Sequence, residues 1–284
     1  MGKPTRTERR VRELQGRVTA WQRMLRARGG IRMESGLLAS CALDLLRFLV
    51  SPARAPSPKT YVSGVVVFRI GSSGLARFHI RQGTDDLYSC TPGREPGVRE
   101  SLERLLRPGD VFVDIGANVG FYSVLAGRLV GERGRVIAIE PIPSTAEVLR
   151  TNLMLNGTPN AALVMKACGS SRGRARLSNP PGAYGLAASR RPAEGRVTEV
   201  DVVPLDEICG GIPSIRLIKI DVEGAEREVL TGARKTLDRA DGVIVEISQN
   251  DEDVLGLLRH ASFDLVPMEF RPYVLGIKQP RLSS

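Results

Sequence analysis

Two short runs of this 284-residue chain have the residue types and spacing to do chemistry. Val111 to Gly120 reads VFVDIGANVG, an apolar run that stops at Asp114 and enters a glycine-rich bend. Val136 to Pro141 reads VIAIEP, a second apolar run that stops at Glu140. Neighbouring parallel strands that each end in a carboxylate describe a nucleoside cofactor lying across their carboxyl ends. The glycine spacing selects among such cofactors. A dinucleotide site wants G-x-G-x-x-G, so that backbone can close on a pyrophosphate at a helix N-terminus. Here the residue two before Gly116 is Asp114, and the pattern is D-x-G-x-N-x-G. A carboxylate there repels a pyrophosphate and suits an ammonium group. The amides that open the next helix, from Phe121, can take a carboxylate. Ammonium plus carboxylate is an amino-acid tail, which S-adenosylmethionine has. Glu140 can accept from both ribose hydroxyls. The expected cofactor-binding residues are therefore Asp114, Gly116, Asn118, Gly120, Phe121 and Glu140. A plain strand-to-helix turn would need neither carboxylate.

A second constellation lies in IKIDVEGAE, from Ile218. It sets Asp221 and Glu223 at the carboxyl edge of a later strand, Gly224 at the bend and Glu226 on the following helix. Glu246 ends the strand after that. Three carboxylates at adjacent strand ends cost too much to bury for packing alone. They could bind a divalent cation, position a hydroxyl nucleophile, or accept its proton. In-line methyl transfer from a sulfonium needs mainly positioning and removal of the hydroxyl proton. Asp221 is the first candidate for base or substrate anchor and Glu246 the second, with Glu223 completing the catalytic set. A bare base is preferred to a metal, because no histidine or further carboxylate completes an oxygen-rich site in sequence. Lys219 and Glu226 read as structural, through a strand-side salt bridge and a helix-start charge. The two histidines, His79 and His260, lie away from these strand ends.

DIGANVGFYS, IEPIPSTAEVLRTNLMLNG, the VPLDEI run at Val203 and IKIDVEGAEREVLTGA from Ile218 resemble the FkbM family of methyltransferases. The resemblance covers about His79 to Ile247, with the motifs in family order. It implies a class I methyltransferase, Rossmann-like fold. It also implies S-adenosylmethionine dependence and O-methylation of hydroxyls on sugars, glycoconjugates or secondary metabolites. One departure stands out. Methyltransferases of this fold often carry an acid after the third strand to meet the adenine amine. Here that run is KACGSSRG, Lys166 to Gly173, which leaves backbone at Ala167 and Cys168 for the adenine.

The elements that must hold these motifs alternate strand and helix from Val111 onward, which predicts an α/β, doubly wound sheet with one antiparallel edge strand. A hairpin is expected first, over Val65 to Ile70 and Leu75 to Ile80. Ala225 to Leu237 reads as a single helix, and Phe263 to Met268 with Tyr273 to Ile277 as a closing hairpin. Between the third and fourth parallel strands, about Cys168 to Thr198 reads as a long Gly/Pro/Arg-rich lid or binding loop. In it Tyr184, Arg172, Arg174, Arg190 and Arg191 could meet a polar or anionic acceptor. SNPPG at Ser178 resembles a base-amine methylation signature, but Gly182 stands where the aromatic belongs, so it reads as a turn.

The catalytic domain is expected over 57–284, after a basic helical extension over 1–56. That extension holds 12 Lys/Arg against 4 Asp/Glu, a surplus of 8 out of a formal net charge of +10. A domain that clasps nucleic acid carries its basic surface itself, so no nucleic-acid partner is expected. Val11, Leu14, Val18, Trp21 and Leu25 form one apolar helical stripe. Leu37, Leu38, Cys41, Leu45, Phe48 and Leu49 form a second, with Ser40, Asp44 and Arg47 opposite. Neither spans a bilayer. Packing on the domain or on a second copy, as a homo-oligomer, and peripheral membrane contact remain open for them. Pro52 to Pro58 reads as the linker. Four scattered cysteines without a C-x-x-C point to a reducing, cytoplasmic setting, with membrane association as the alternative. The expected partner is a small-molecule or glycoconjugate acceptor. The rival classes are an RNA or DNA methyltransferase and a non-catalytic cofactor-binding module.

Overall fold

The computed structural model describes residues 6–26, 34–50, 60–91, 93–179, 196–247, 251–269 and 273–279. Its centre is a seven-stranded sheet. Strands β3 (Val111–Ile115), β4 (Arg135–Ile139), β5 (Ala161–Val164), β9 (Ile215–Ile220) and β10 (Ala240–Glu246) run parallel. Strands β11 (Asp264–Pro267) and β12 (Tyr273–Ile277) complete it in the order β11-β12-β10-β9-β3-β4-β5. The chain walks outward from β3 to β5, returns, and walks the other way from β9. The crevice at that reversal, above β3 and β9, is where an open sheet of this kind binds ligands. The single reversed strand is β12, as expected in number. It stands one place in from the edge, because β11 pairs outside it.

Side-chain alternation sorts the sheet into two faces. Val113, Ile115, Ile137, Ile139, Ile218, Ile220, Val243 and Val245 point into one core, with α7 (Leu205–Ile208), α8 (Glu226–Thr231), α9 (Arg234–Asp238) and α10 (Glu252–His260). Phe112, Val136, Ala138, Leu217 and Ile244 point into the other. That face is covered by α4 (Pro96–Leu105), α5 (Phe121–Val130) and α6 (Pro143–Leu155). Each fully buried large side chain, such as Phe112, contributes about 1.5–3 kcal/mol of transfer free energy. The second face is not wholly apolar. Asp114 and Lys219 are cross-strand neighbours in the β3–β9 register and are both buried there.

The expected single helix from Ala225 to Leu237 is two, α8 and α9. Gly232 marks the break: a Cβ there would lie 2.0 Å from the carbonyl oxygen of Gly169. Asp206 holds the new helix start, accepting from the backbone N of Thr236 at 2.7 Å and of Lys235 at 3.1 Å. The expected lid is also partly regular. Strands β6 (Ala167–Cys168), β7 (Gly173–Asn179) and β8 (Arg196–Val203) form a small separate sheet. Residues 180–195, including Tyr184, Arg190 and Arg191, lie outside the described residues, as does the proposed Pro52–Pro58 linker. Arg172 and Arg174 pair with Glu207 and Glu199.

The N-terminal helices α1 (Arg6–Arg26) and α2 (Glu34–Val50) form where the two stripes predict them. Trp21 and Ala20 are buried in the same core as the hairpin of β1 (Gly64–Arg69) and β2 (Leu75–Ile80). The orientation of α2 differs from the expected one. Ser40 and Asp44 are buried and Leu38 and Leu49 exposed. Asp44 accepts from Arg17 Nε at 2.7 Å, Arg17 Nη2 at 2.8 Å and Trp21 Nε1 at 2.8 Å, and Ser40 Oγ accepts from Tyr61 N at 2.9 Å. These polar partners, not the leucine count, decide which way the helix faces.

Candidate active site

The cleft sits at the carboxyl ends of β3, β4 and β9. It is lined mainly by the bend after β3, with Glu140, Lys219, Asp221 and Glu223 on its walls. Its floor is the GANVG bend. Gly116, Asn118 and Gly120 all take left-handed backbone, with φ of +75°, +49° and +92°. A Cβ on Gly116 would lie 1.9 Å from the carbonyl oxygen of Asp221, and one on Gly120 would lie 2.3 Å from Leu149 Cδ1. Gly116 is therefore required by the close approach of the backbone just after β9, and Gly120 by its left-handed backbone.

Glu140, 4% exposed, reaches across from the end of β4. Its Oε2 accepts from Asn118 N at 3.0 Å and its Oε1 from Ile142 N at 2.9 Å, so two amides fix the carboxylate. Each oxygen keeps a lone pair for a ligand hydroxyl. Burial pushes its carboxyl up to about 7, against those two amides. Asp114 lies directly behind the bend, fully buried. Its Oδ2 accepts from Ser123 Oγ at 2.6 Å, while Oδ1 has no donor. Burial raises its carboxyl, partly offset by Lys219 and the Ser123 hydroxyl. Phe121 opens α5 and lines the cleft, its ring 5.9 Å from that of Phe78. Ala167 does not line it. Its backbone pairs with Val202 of β8, and its side chain packs with Ile142, Leu177 and Val200. The backbone expected to meet an adenine forms an edge strand of the small sheet, paired on one side with β8.

At the end of β9 the carboxylates do come together. Asp221 Oδ2 accepts from Lys219 Nζ at 2.9 Å and from Tyr273 OH at 2.9 Å. Glu246 hydrogen-bonds to Asp221 as well. Burial works against the Asp221 charge, but Lys219, the Glu246 hydrogen bond and Arg94 outweigh it and hold the carboxyl well below its usual range. Burial and the shared hydrogen bond raise Glu246. One proton thus serves the pair and stays on Glu246. Glu223 follows in left-handed backbone, φ +49°, on the cleft wall. Partial burial, then the charges of Asp221 and Asp85, push its carboxyl up to about 7. At neutral pH the cluster holds a pinned anion, a neutral acid and a half-titrated carboxyl. The Lys219 ammonium occupies the cationic place beside Asp221, and no metal-binding cluster occurs among the described residues.

Sequence reading missed the rest of the cleft wall. Arg94 and Glu95 enter from the turn before α4, paired at 2.7 Å. Tyr122 donates to Glu95 Oε2 at 2.7 Å, and its ring lies 5.2 Å from Lys219 Nζ. Ser89, from α3 (Asp86–Ser89), also lines the cleft. Tyr273 arrives because β12 is reversed, which sets its first residue opposite the last of β10, Glu246. Lys219 was legible, because a lysine inside the apolar run IRLIKI marks a buried charge that needs a partner. Lys219 is both the expected salt bridge and part of the cleft.

Residues 114–265 match the family model described as the methyltransferase FkbM domain. The chain is 30% identical over 204 residues to the 31-O-demethyl-FK506 methyltransferase FkbM of Streptomyces tacrolimicus, covering 60% of this chain and 77% of that protein. It is 29% identical over 197 residues to the hexuronic acid methyltransferase AglP of Haloferax volcanii, covering 67% and 78%. It is 28% identical over 187 residues to the 2-O-methyltransferase NoeI of Sinorhizobium fredii, covering 60% and 76%.

Proposed function

This chain belongs to the FkbM family of S-adenosylmethionine-dependent methyltransferases, and from that premise we propose that it O-methylates a hydroxyl of a sugar, glycoconjugate or secondary metabolite. The residues present suit the cofactor. A buried Asp114 oxygen without a donor matches the positive amino group of its methionine tail, directly or through a water. Glu140, fixed by two amides, suits the ribose diol. When bound, the cofactor supplies an electrophilic methyl group on sulfur.

The observation that carries the proposal is Asp221, held ionised on the cleft wall by Lys219 and Tyr273. Its assigned role is to orient the acceptor hydroxyl. Glu223 is the proton acceptor, because a carboxyl near 7 both ionises and binds a proton at neutral pH. Glu246, already protonated, keeps Asp221 in place. The cleft wall around them is polar, with Ser89, Arg94, Glu95, Asn118 and Tyr122, which suits an acceptor rich in hydroxyls. Two of the relatives above are named for transfer to a numbered oxygen and a third for hexuronic acid.

Methyl-labelled S-adenosylmethionine offered with hexosides, uronic acids, a macrolide alcohol, RNA and a protein lysate tests this. Label on an ether oxygen of a sugar or macrolide is the expected result. Label on RNA or on nitrogen, or cofactor binding with no turnover on any acceptor, would overturn it.

A further inference from the structure

Helix α2 packs Phe48, Cys41 and Leu45 inward but leaves a second apolar face outside. Its buried side carries Ser40 and Asp44, satisfied by Tyr61 N, Arg17 and Trp21. Its outer side carries the leucines. Leu38 is 56% exposed, Leu43 49%, Leu46 58%, Leu49 58% and Val50 75%. Ala39 and Ala42 are exposed between them. At 100° per residue these seven positions sweep an arc of about 140°, and from Leu38 to Val50 no polar residue falls inside it. Arg47 stands at its rim. An apolar face of this breadth on the surface marks a contact site. It is not a folding accident, because burying the same leucines would expose Asp44 and break its three hydrogen bonds.

We propose that this face seats the protein on an anionic phospholipid surface, with α2 lying along the interface. Charge decides between a bilayer and a second copy. Residues 1–56 carry a surplus of 8 positive charges, and the rest of the chain is nearly neutral. Pairing two copies through α2 would bring two such segments together. An anionic bilayer complements both the leucines and the charge. The helix rests on the surface and does not cross. Its 17 residues reach about 25 Å, short of a hydrocarbon core of about 30 Å. No described helix is long and apolar enough to cross a membrane. The Arg17–Asp44 pair keeps α2 fixed on α1, so the leucine face is presented without refolding.

Flotation of the full chain with vesicles tests this. One set is phosphatidylcholine alone, and the other contains about a third phosphatidylglycerol. Binding to the anionic vesicles only, fading as salt rises from low to physiological strength, is expected. Leu46→Glu/Leu49→Glu should cut the bound fraction by about tenfold or more, with cofactor affinity and melting temperature unchanged. If the glutamates disturb the helix pair, Leu46→Ser/Leu49→Ser gives the same readout, and the lipid preference of the unaltered protein stands without any variant. Three results would overturn the proposal: no vesicle binding at low salt, equal binding by the double variant, or a dimer on sizing that the double variant splits.

Discussion

Two of the buried ion pairs among the described residues differ in one respect. In the arm, Arg17 and Asp44 are closed off, with 4% and 2% of their side-chain surfaces exposed. Asp44 spends both oxygens on Arg17 and Trp21. In the cleft, Lys219 and Asp221 are 2% and 16% exposed, and Asp221 lines the open wall. Desolvation makes both pairs costly, and a hydrophobic pair of the same volume can be as stable. The closed pair returns only geometry: it orients α2. The half-open pair returns a carboxylate that stays ionised next to a ligand. One open side separates a staple from a site.

Removing one partner of the closed pair should give the largest effect. Asp44→Ala leaves the Arg17 charge buried without its carboxylate and should destabilise the fold by about 3–5 kcal/mol in denaturant titrations. Cofactor affinity in the cold, where the protein remains folded, should hardly move. A loss under about 1 kcal/mol would mean that water reaches Arg17, and the contrast between the pairs would collapse. Asp221→Asn should behave the opposite way. The amide still accepts from Lys219, and Asp114 remains beside that ammonium, so the melting temperature should fall less than in Asp44→Ala. Turnover should fall by about 10²–10³, as when one oriented group is lost from a reacting site. Stability loss with activity kept would make Asp221 a second staple.

The contrast also explains what the sequence could and could not reveal. Asp114, Glu140 and Asp221 were legible because each ends an apolar run, and a strand's end is where a parallel sheet exposes a carboxylate. Asp44 was not. It interrupts a leucine-rich helix, and periodicity assigns a lone acid to the solvent side. Only its meeting with Arg17, 27 residues away, reverses that. The Asp114–Lys219 neighbourhood is set by strand register, which no local pattern carries. Arg94, Tyr122 and Tyr273 come from three separate elements, and Tyr273 depends on the reversed β12. The doubly wound class of the sheet was readable from the alternation of elements, but not the place of β12 one strand in from the edge. The small sheet β6-β7-β8 was hidden because β6 has two residues and β7, GRARLSN, is as polar as a loop.

The finest test of the open site is its pH dependence. Glu223 has its folded-state carboxyl raised to about 7, so it is ionised above that pH and protonated below it. Only the ionised form accepts a proton, so kcat at saturating cofactor should rise from acid to base and level off above about pH 8. Between pH 6 and pH 8 the ionised fraction of a group near 7 changes about tenfold, and kcat should follow, a span of ~1.4 kcal/mol. Saturating cofactor matters because Glu140 titrates in the same range and would otherwise add its own effect on binding. Asp221 stays ionised across this window, held low by Lys219, and adds no step of its own. Glu223→Gln should be slow and flat with pH, while Asp221→Asn should be slow yet keep the sloping limb. A limb that survives in Glu223→Gln would move the proton acceptor to another group and leave Glu223 as a wall of the cleft.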